Sequence, residues 1–330
     1  MQIISDQTDL ALLDDWQRDF PICNRPYAVI ADQLRLDESD VIARLQKMTA
    51  AGRVSRVGAT CAPNTVSAST LAAIAAPSDR VDEIAAIISA QPGINHSYQR
   101  ENRWNLWFVA TGPDRRHVDA TLTEIALQTG LNVLDLRLLR PFNIDLGFRM
   151  TGARAKPTVP GPVDCAAMRP GDRALLQQLT SGLPIAPRPY ARIATMLNRP
   201  EVEITDRIKT LQAAGIISRL GVIVRHRALG WSANAMVVWD IPEGQVDQAG
   251  PALAALDGVT LCYERRPVNG IWPYRLYNMI HARSRREAHE VLEKARALPG
   301  LGDLAHKVLF STRCFKQTGA LISLSPGAAV

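Results

Sequence analysis

Cysteine, aromatic residues and long apolar runs are all scarce in this chain of 330 residues, and aromatics make up only 5%. The five cysteines are dispersed, and no two of them form a CxxC pair. An odd, scattered set of this kind argues against a disulfide framework and against a thiolate metal site. No stretch approaches the roughly 20 apolar residues of a membrane span, and the start MQIISDQTDLALLDD does not have the pattern of a signal peptide. We therefore expect no membrane partner and a reducing cytoplasm as the location.

The bulk composition is that of an ordinary globular protein, with 47% hydrophobic and 21% charged residues. The length allows two domains of ordinary size. The formal net charge of +6 indicates an acidic ligand, which is either nucleic acid or a small polyanion.

An internal repeat spans most of the sequence. Residues 20–58 and 183–221 align without a gap, and 17 of the 39 positions are identical. The string PICNRPYAVIADQL at 21–34 matches PIAPRPYARIATML at 184–197. Farther on, Tyr98 and Arg100 align with Tyr263 and Arg265. A period of this length indicates two homologous halves.

Each half has the same predicted order of elements. Three helices lead into a strand, with proline at an early position of the second helix, which is typical of a winged helix-turn-helix. A βαββαβ pattern follows, with 132–140 as its last strand in the first half, and this is the order of a ferredoxin-like domain. We therefore predict an α+β fold of two tandem homologous halves, each a winged helix-turn-helix followed by a ferredoxin-like domain. The predicted boundaries are 1–60 and 61–150 for the domains of the first half, 151–171 for a linker, 172–224 and 225–318 for the domains of the second half, and 319–330 for a loose tail.

The helix-turn-helix raises the question of DNA binding, because its third helix would meet the bases with its first residues. Those residues are acidic or neutral in both halves: Asp37, Glu38, Ser39 and Asp40 in the first, and Glu201, Glu203 and Asp206 in the second. Phosphates would repel these carboxylates, which instead oppose the positive end of the helix dipole. DNA is therefore not the expected partner.

A basic triplet, Arg225, His226 and Arg227, follows the apolar run at 222–224. That run predicts a buried strand. If the strand continues, Arg225 and Arg227 share one face and His226 takes the other. Two guanidiniums on one face suit a polycarboxylate or a phosphate. A solvated strand end with ordinary surface charge is the alternative.

Basic, aromatic and histidine residues also surround the paired strands of the second half. The predicted set is Arg225, His226, Arg265, Arg266, Trp272, Tyr274 and His281. Aromatic walls stack on a flat ligand, arginines bind carboxylates, and histidine binds a metal or transfers a proton. Ordinary core packing or a structural hydrogen bond is the alternative for each aromatic and each histidine. His96 occurs in the first half, where the second half has Leu261.

Two strings of the second half are specific: SRLGVIVRHRALGWSANAMVVWDIP at 218–242 and CYERRPVNGIWPYRLYNMIHARS at 262–284. With GINHSYQRENRWNLWF at 93–108 and LRLLRPFNIDLGF at 136–148, they resemble the siroheme decarboxylases, in a form that fuses two subunit types into one chain. The architecture also resembles the Lrp/AsnC regulators. The resemblance covers nearly the whole chain, but the first-half segment GATCAPNTVSAST lacks the Arg-His-Arg string.

The resemblance implies that siroheme, an iron tetrapyrrole with many carboxylates, is the substrate. Two of its acetate groups would lose carbon dioxide to give 12,18-didecarboxysiroheme in haem d1 biosynthesis. No cofactor is implied beyond the iron tetrapyrrole itself, and no metal held by the protein alone. His226 and His281 are the candidate catalytic acids, and one of them is a candidate axial ligand of the siroheme iron.

The other candidate residues would bind the substrate. Arginines would hold the carboxylates that are not cleaved, and aromatic side chains would exclude water from the reacting one. The full set is Arg225, Arg227, Arg265, Arg266, Trp272, Tyr274, His96, Tyr98, Arg100 and Trp104. Homologous decarboxylase subunits, or self-association through the sheets, are the candidate protein partners. Two rival functions remain: a DNA-binding transcriptional regulator of the Lrp/AsnC type, and a carrier that leaves siroheme intact.

Overall fold

A computed structural model describes residues 6–143 and 161–324. The fold is α+β, as predicted, and the two halves repeat one order of elements. In the described residues the helices are α1 (Gln7–Asp14), α2 (Pro26–Leu34), α3 (Glu38–Ala50), α4 (Val81–Ala90), α5 (Arg115–Thr129), α6 (Asp172–Ser181), α7 (Pro189–Leu197), α8 (Glu201–Ala213), α9 (Val246–Ala255) and α10 (Arg285–Arg296). The strands are β1 (Val54–Cys61), β2 (Ala68–Ile74), β3 (Ile94–Arg100), β4 (Leu106–Gly112), β5 (Val133–Leu136), β6 (Leu138–Asn143), β7 (Ile217–Val224), β8 (Ala233–Trp239), β9 (Val259–Arg265), β10 (Leu276–Ala282) and β11 (His306–Gln317).

The second and third helices of each half form the helix-turn-helix. Proline begins both α2 and α7, at a position where the helix does not need its missing N–H. Arg35 and Asn198 end these helices in the left-handed conformation, which turns the chain toward α3 and α8. The local sequence signals therefore produce the same motif twice.

Contacts exchanged between the halves join the two helix-turn-helix units into one body. The wing strands β1 and β7 pair antiparallel with each other. The Tyr27 hydroxyl donates to the carbonyl oxygen of Pro184, at 3.3 Å, and the Tyr190 hydroxyl donates to that of Pro21, at 3.0 Å. The two units share a single hydrophobic core. Neither half contains a complete wing or a complete helix-turn-helix core of its own.

The remaining strands form one sheet in the order β5-β2-β4-β3-β11-β8-β10-β9-β6. Each group of four, β5-β2-β4-β3 and β11-β8-β10-β9, has the strand order of a ferredoxin-like domain. A single residue, Arg137, separates β5 from β6, so the last strand of the first half pairs with β2 and then with β9 of the second half. In the same way β11 pairs with β8 and with β3. The predicted strand at 132–140 is therefore two strands that belong to different pairings.

The two four-stranded groups, which are called the two sheets from here on, face each other across a shared core. Helices α4 and α5 cover the outer face of the first group, and α9 and α10 cover that of the second. The inner faces meet in a cluster with side chains from both halves, where the rings of Trp107 and Trp272 lie 5.3 Å apart. The two sheets of this one chain therefore pair face to face with each other.

The structure corrects the expectation of a loose tail for residues 319–324. Ile322 is 1% exposed and belongs to the helix-turn-helix core. The backbone N–H groups of Ile322 and Ser323 donate to Oε1 of Gln177, at 2.7 and 3.1 Å. Buried apolar surface and satisfied backbone groups hold this segment in place. Residues 151–160 of the predicted linker, and 325–330 of the tail, lie outside the described residues.

None of the described helices is both long and apolar enough to cross a membrane.

Candidate active site

A cleft of about 290 Å³ lies between the two sheets, with walls from β2, β3 and β4 of the first half and from β8, β9 and β10 of the second. This size is at the lower end of the range for small-molecule sites. Five of the predicted site residues line it, namely His96, Tyr98, Arg100, Arg265 and His281. The part of the wall that the described residues form contains no Asp or Glu.

His281 of the cleft wall lies beside His226, which comes from another segment of the second half and does not itself line the cleft. The ring centroids of His226 and His281 are 4.8 Å apart, with 43° between the ring planes. His281 is on β10, and its Nδ1 lies 2.6 Å from Oγ1 of Thr260 on β9. Burial lowers the pKa of His281 well below its usual range, and the positive charges of His226 and Arg100 lower it further. In the ligand-free protein His281 is therefore neutral at neutral pH.

The basic triplet does not continue the strand, which corrects the expected arrangement of Arg225 and Arg227. Strand β7 ends at Val224, and a 3₁₀ turn covers His226–Leu229. The exposed Arg225 donates its backbone N–H to the carbonyl oxygen of Arg53, at 2.8 Å. The turn buries His226 and directs the Arg227 guanidinium to the carbonyl oxygen of Ser311, at 3.2 Å. The two arginines therefore do not share the face of a strand.

Two arginines line the cleft at equivalent positions of the repeat, and Arg100 is buried while Arg265 is half-buried. Arg100 donates to the carbonyl oxygen of Leu309, at 3.1 Å, and Arg265 to that of Leu136, at 2.8 Å. The Nε atoms of Arg100 and Arg265 have no hydrogen-bond partner among the described residues, and neither side chain forms an ion pair with any of them. Burial lowers the pKa of Arg100, and the charge of Arg227 acts in the same direction. Cations that are buried or half-buried, with no carboxylate partner among the described residues, fit a ligand that carries several negative charges.

Tyrosines lie beside both of these arginines. The Arg265 guanidinium lies 4.5 Å from the ring centroid of Tyr263, and that of Arg100 lies 5.7 Å from the ring of Tyr98. The rings of His96 and Tyr98 are stacked at 6.3 Å. Burial raises the pKa of the Tyr98 hydroxyl, so it remains a neutral hydrogen-bonding group. The walls therefore combine flat rings with fixed positive charges.

Seven predicted residues are outside the cleft wall, namely Arg225, His226 and Arg227 of the basic triplet, together with Arg266, Trp272, Tyr274 and Trp104. Trp272 and Tyr274 are buried in the core between the sheets, where the Trp272 Nε1 donates to the Tyr277 hydroxyl at 2.8 Å. Trp104 accepts a hydrogen bond from the indole of Trp107 through its carbonyl oxygen. Arg266 is exposed, and its guanidinium lies 3.7 Å from a carboxylate oxygen of Asp135. Trp272 and Tyr274 are therefore core residues, which is the alternative that the sequence left open for them.

Sequence reasoning missed several residues of the cleft. Asn95, Asn234 and Tyr263 contribute polar atoms to its wall, and Trp107 and Met279 contribute apolar surface. The repeat held a signal for Tyr263, because it aligns with Tyr98. Nothing in the sequence indicated the two asparagines, because β3 and β8 reach the same cleft only when the two sheets pair.

The first turns of α3 and α8 are acidic, as expected from the sequence. Arg25 pairs with Glu38 and Arg188 pairs with Glu201, so each carboxylate binds an arginine of its own half. These contacts stabilise the motif and place negative charge where a DNA-reading helix would meet phosphates. Among the described residues no group of three or more His, Cys, Asp or Glu side chains is placed to hold a metal ion.

Family models match both parts of each half. An AsnC-like ligand binding domain matches residues 66–143 and 228–316, and a siroheme decarboxylase NirDL-like HTH domain matches residues 9–54 and 172–217. The fold and the cleft thus define a protein with two helix-turn-helix units and two AsnC-like ligand-binding domains. This is the class that the sequence predicted.

Curated relatives narrow the class to one family. The chain is 55% identical to the siroheme decarboxylase NirDL subunit of Paracoccus denitrificans, over 96% of this chain and 98% of the relative. It is 47% identical to the siroheme decarboxylase NirD subunit of Stutzerimonas stutzeri, over 42% of this chain and 90% of that subunit. A crystal structure of the siroheme decarboxylase NirDL shares the fold, with a TM-score of 0.67 and 23% identity over 98% of this chain and 95% of that one. The chain belongs to the siroheme decarboxylase NirDL family, which confirms the resemblance seen in the sequence.

Proposed function

We propose that this protein is a carbon–carbon lyase that removes carbon dioxide from the two acetate side chains of siroheme, giving 12,18-didecarboxysiroheme for haem d1 biosynthesis. The observation that carries the proposal is the histidine pair, His226 and His281, beside a cleft whose charged wall residues are Arg100 and Arg265. Membership of the family supports the choice of substrate. The iron tetrapyrrole is the substrate, and no further cofactor is proposed.

The arginines of the cleft would bind the carboxylates that are not cleaved. Arg100 and Arg265 come from opposite halves, so together they hold a flat polyanion between the sheets. Arg225 and Arg227 would add positive charge beside the histidine turn. The charge-assisted hydrogen bonds would fix which acetate faces the histidines.

The reaction needs one proton for each carbon dioxide released. The bond between the acetate methylene and its carboxylate breaks, carbon dioxide leaves, and the electron pair stays on the methylene carbon, which becomes a methyl group when it takes a proton. We assign that proton to the pair of His226 and His281 rather than to either ring alone. At a ring separation of 4.8 Å, positive charge on one ring opposes charge on the other, so one ring donates while the other is neutral. The neutral ring is then suited to bind the iron.

Substrate binding would make His281 a better proton carrier. Its pKa is lowered by burial and by the positive charges of His226 and Arg100. A polycarboxylate in the cleft neutralises part of that positive charge and raises the pKa of His281 toward neutrality. Thr260 holds Nδ1 in place, which leaves Nε2 as the nitrogen that serves the substrate.

Apolar side chains would exclude water from the reacting carboxylate. Leu71, Trp107, Phe108, Met236 and Met279 form the apolar part of the wall. Trp272 and Tyr274 would support this wall from the core behind it. Loss of water destabilises a carboxylate relative to neutral carbon dioxide, which favours the forward reaction.

Two separate subunits of relatives each correspond to about half of this chain. The NirD and NirL subunits of Stutzerimonas stutzeri match 42% and 44% of it. We propose that the two halves act here as one such pair, because Arg100 and Arg265 reach the same cleft from different halves.

Anaerobic incubation of the purified protein with siroheme, followed by mass spectrometry of the tetrapyrrole, tests the function. Loss of two carboxyl groups is expected. The variant His281→Ala should lose at least about a hundredfold in rate, the usual contribution of a positioned acid, and Arg286→Gln on the exposed face of α10 serves as a control. Siroheme that binds and stays intact would favour the carrier. Absence of siroheme binding, with binding of DNA at low salt, would favour the regulator.

A further inference from the structure

A second cavity, of about 220 Å³, lies on the first half next to the cleft. Strands β1 and β2, the segment between them and the C-terminal segment form its walls. Asn95, His96 and Val109 line both the cavity and the cleft, so the two spaces adjoin at these side chains.

The cavity carries positive charge without a counterion. Arg56 lines it, and among the described residues no carboxylate pairs with Arg56 or lines the cavity. The Nε of Arg56 is buried and has no hydrogen-bond partner in the described part of the chain. Burial, together with the charge of Arg219, lowers the pKa of Arg56 to about 10, so the guanidinium stays charged at neutral pH. A charge in this environment needs an anion.

Polar side chains complete the lining. Asn95 is 8% exposed and borders the cavity, and its Nδ2 amide group is a hydrogen-bond donor. Ser67 and Ser69 also line the cavity. An arginine, an amide and hydroxyls together are the donors that bind a carboxylate.

The C-terminal tail contacts this cavity at the position that corresponds to His281 in the second half. Thr111 aligns with His281 in the repeat, and its Oγ1 accepts the backbone N–H of Leu321, at 2.9 Å. The N–H of Thr318 donates to the carbonyl oxygen of Asn95, at 2.8 Å. The first half thus has a threonine in contact with the tail where the second half has His281, and no Asp or Glu of the described residues lines the cavity beside Arg56.

We propose that this cavity binds a carboxylate of the same tetrapyrrole whose reacting acetate lies at His226 and His281. The inference rests on the proposed function and extends it by naming the positioning residue at the far end of the substrate, which is Arg56. With one carboxylate held there, the tetrapyrrole cannot rotate freely in the cleft, and a single acetate is presented to the histidines.

An anaerobic absorbance titration with siroheme tests the inference without requiring turnover. Arg56→Gln should raise the Kd for siroheme by roughly tenfold to hundredfold, the worth of one charge-assisted hydrogen bond. Arg56→Lys should restore part of the affinity, and the exposed Arg286→Gln should change the Kd by less than about twofold. The thermal unfolding temperature of Arg56→Gln should stay equal or rise, because a buried charge without a partner is removed.

Turnover adds a second readout. Arg56→Gln should raise KM more than it lowers kcat, and mass spectrometry should show more singly decarboxylated product among the released tetrapyrroles. Ser67→Leu fills the cavity while Arg56 stays in place, and it should weaken siroheme binding in the same way. An unchanged Kd in both Arg56→Gln and Ser67→Leu would overturn the inference. If the wild type binds siroheme without losing carbon dioxide, the proposed function fails while the comparison of Kd values still decides the role of Arg56.

Discussion

His96 is a titratable residue of the cleft whose protonation is coupled to folding. Burial and the nearby charge of Arg56 lower its pKa from 6.5 to about 4. Below pH 6.5 the unfolded chain takes up a proton that the folded chain does not, so the folded state loses stability as the pH falls toward about 4. Above pH 6.5 the residue is neutral in both states and contributes no pH dependence.

The variant His96→Leu should reduce the loss of stability in acid, since Leu261 occupies the equivalent position in the second half. Between pH 7 and pH 5 the wild type should lose up to about 2 kcal/mol more in free energy of unfolding than this variant. Urea unfolding at the two pH values measures the difference. His281, whose pKa is also lowered, leaves a residual loss of the same sign in both proteins. Equal pH dependence in the two proteins would show that the His96 ring is accessible to water.

One ion pair occurs in both halves at equivalent positions but in different surroundings. Arg44 lies 2.7 Å from Asp9, with side chains that are 33% and 19% exposed. Arg207 lies 2.6 Å from Asp172, with side chains that are 6% and 0% exposed. Removal of one partner leaves a buried charge unpaired in the second half and a hydrated charge in the first.

The two halves should therefore respond differently to the same substitution. Asp172→Asn should lower the free energy of unfolding by about 3–5 kcal/mol, because Arg207 stays buried without its partner. Asp9→Asn should cost about 1 kcal/mol or less and is the matched control. Chemical denaturation of the two variants provides the measurement, and equal costs would contradict the assigned burial.

At the scale of elements, two glycines allow β1 to lie close to α6 and β7 to lie close to the segment that follows α1. A Cβ atom on Gly221 would lie 2.2 Å from the carbonyl oxygen of Gln17, and one on Gly58 would lie 2.5 Å from that of Leu179. Backbone atoms cannot move aside as a flexible side chain can. This explains why the repeat has glycine at both positions, although neither glycine needs a left-handed conformation.

Gly221→Ala should push β7 away from the segment that follows α1 and destabilise the fold by about 1–3 kcal/mol or more. Gly244→Ala, where nothing lies within 4 Å of the added Cβ, should change the stability by less than about 0.5 kcal/mol. Thermal unfolding of the two variants tests this. A Gly221→Ala protein as stable as the wild type would mean that the contact between β7 and Gln17 is loose enough to admit a methyl group.

At the scale of the whole molecule, the halves exchange strands instead of standing side by side. Strand β6 pairs with β9 and β11 pairs with β3, so each half supplies the edge partner of the other. The helix-turn-helix core and the core between the sheets also contain residues of both halves. An isolated half would expose unpaired strand edges and apolar surface.

A chain divided between Asn143 and Gly161 should therefore fold only when both parts are present. Co-expressed halves should purify as a one-to-one complex, whereas either half alone should aggregate or pair with a second copy of itself. Size-exclusion chromatography with light scattering distinguishes these states. A stable folded monomer of either half would contradict the exchanged arrangement.

Many features of this protein are local and follow from the sequence. The helix-turn-helix follows from proline at the start of α2 and α7 and from a pattern that recurs along the chain. The strand alternation of β10 places Ile280 in the helix-covered core and Met279 in the core between the sheets. The acidic residues that begin α3 and α8 are enough to disfavour DNA as a partner. The family assignment rests on the strings around His226 and His281 and is confirmed by the relatives.

Only the tertiary structure decided which residues meet. The triplet at Arg225 leaves the sheet because β7 ends at Val224, opposite Val54, where its antiparallel partner β1 begins, and the resulting turn brings His226 to His281. Trp272 is predicted as a cleft residue but lies in the core, because the loop between β9 and β10 folds back on itself through backbone hydrogen bonds between Val268 and Trp272. Arg56 and Asn95 gave no signal, because their role depends on a pairing between segments far apart in the chain. The sequence determined the elements and the family through local patterns, and the long-range pairing of the two halves determined the site.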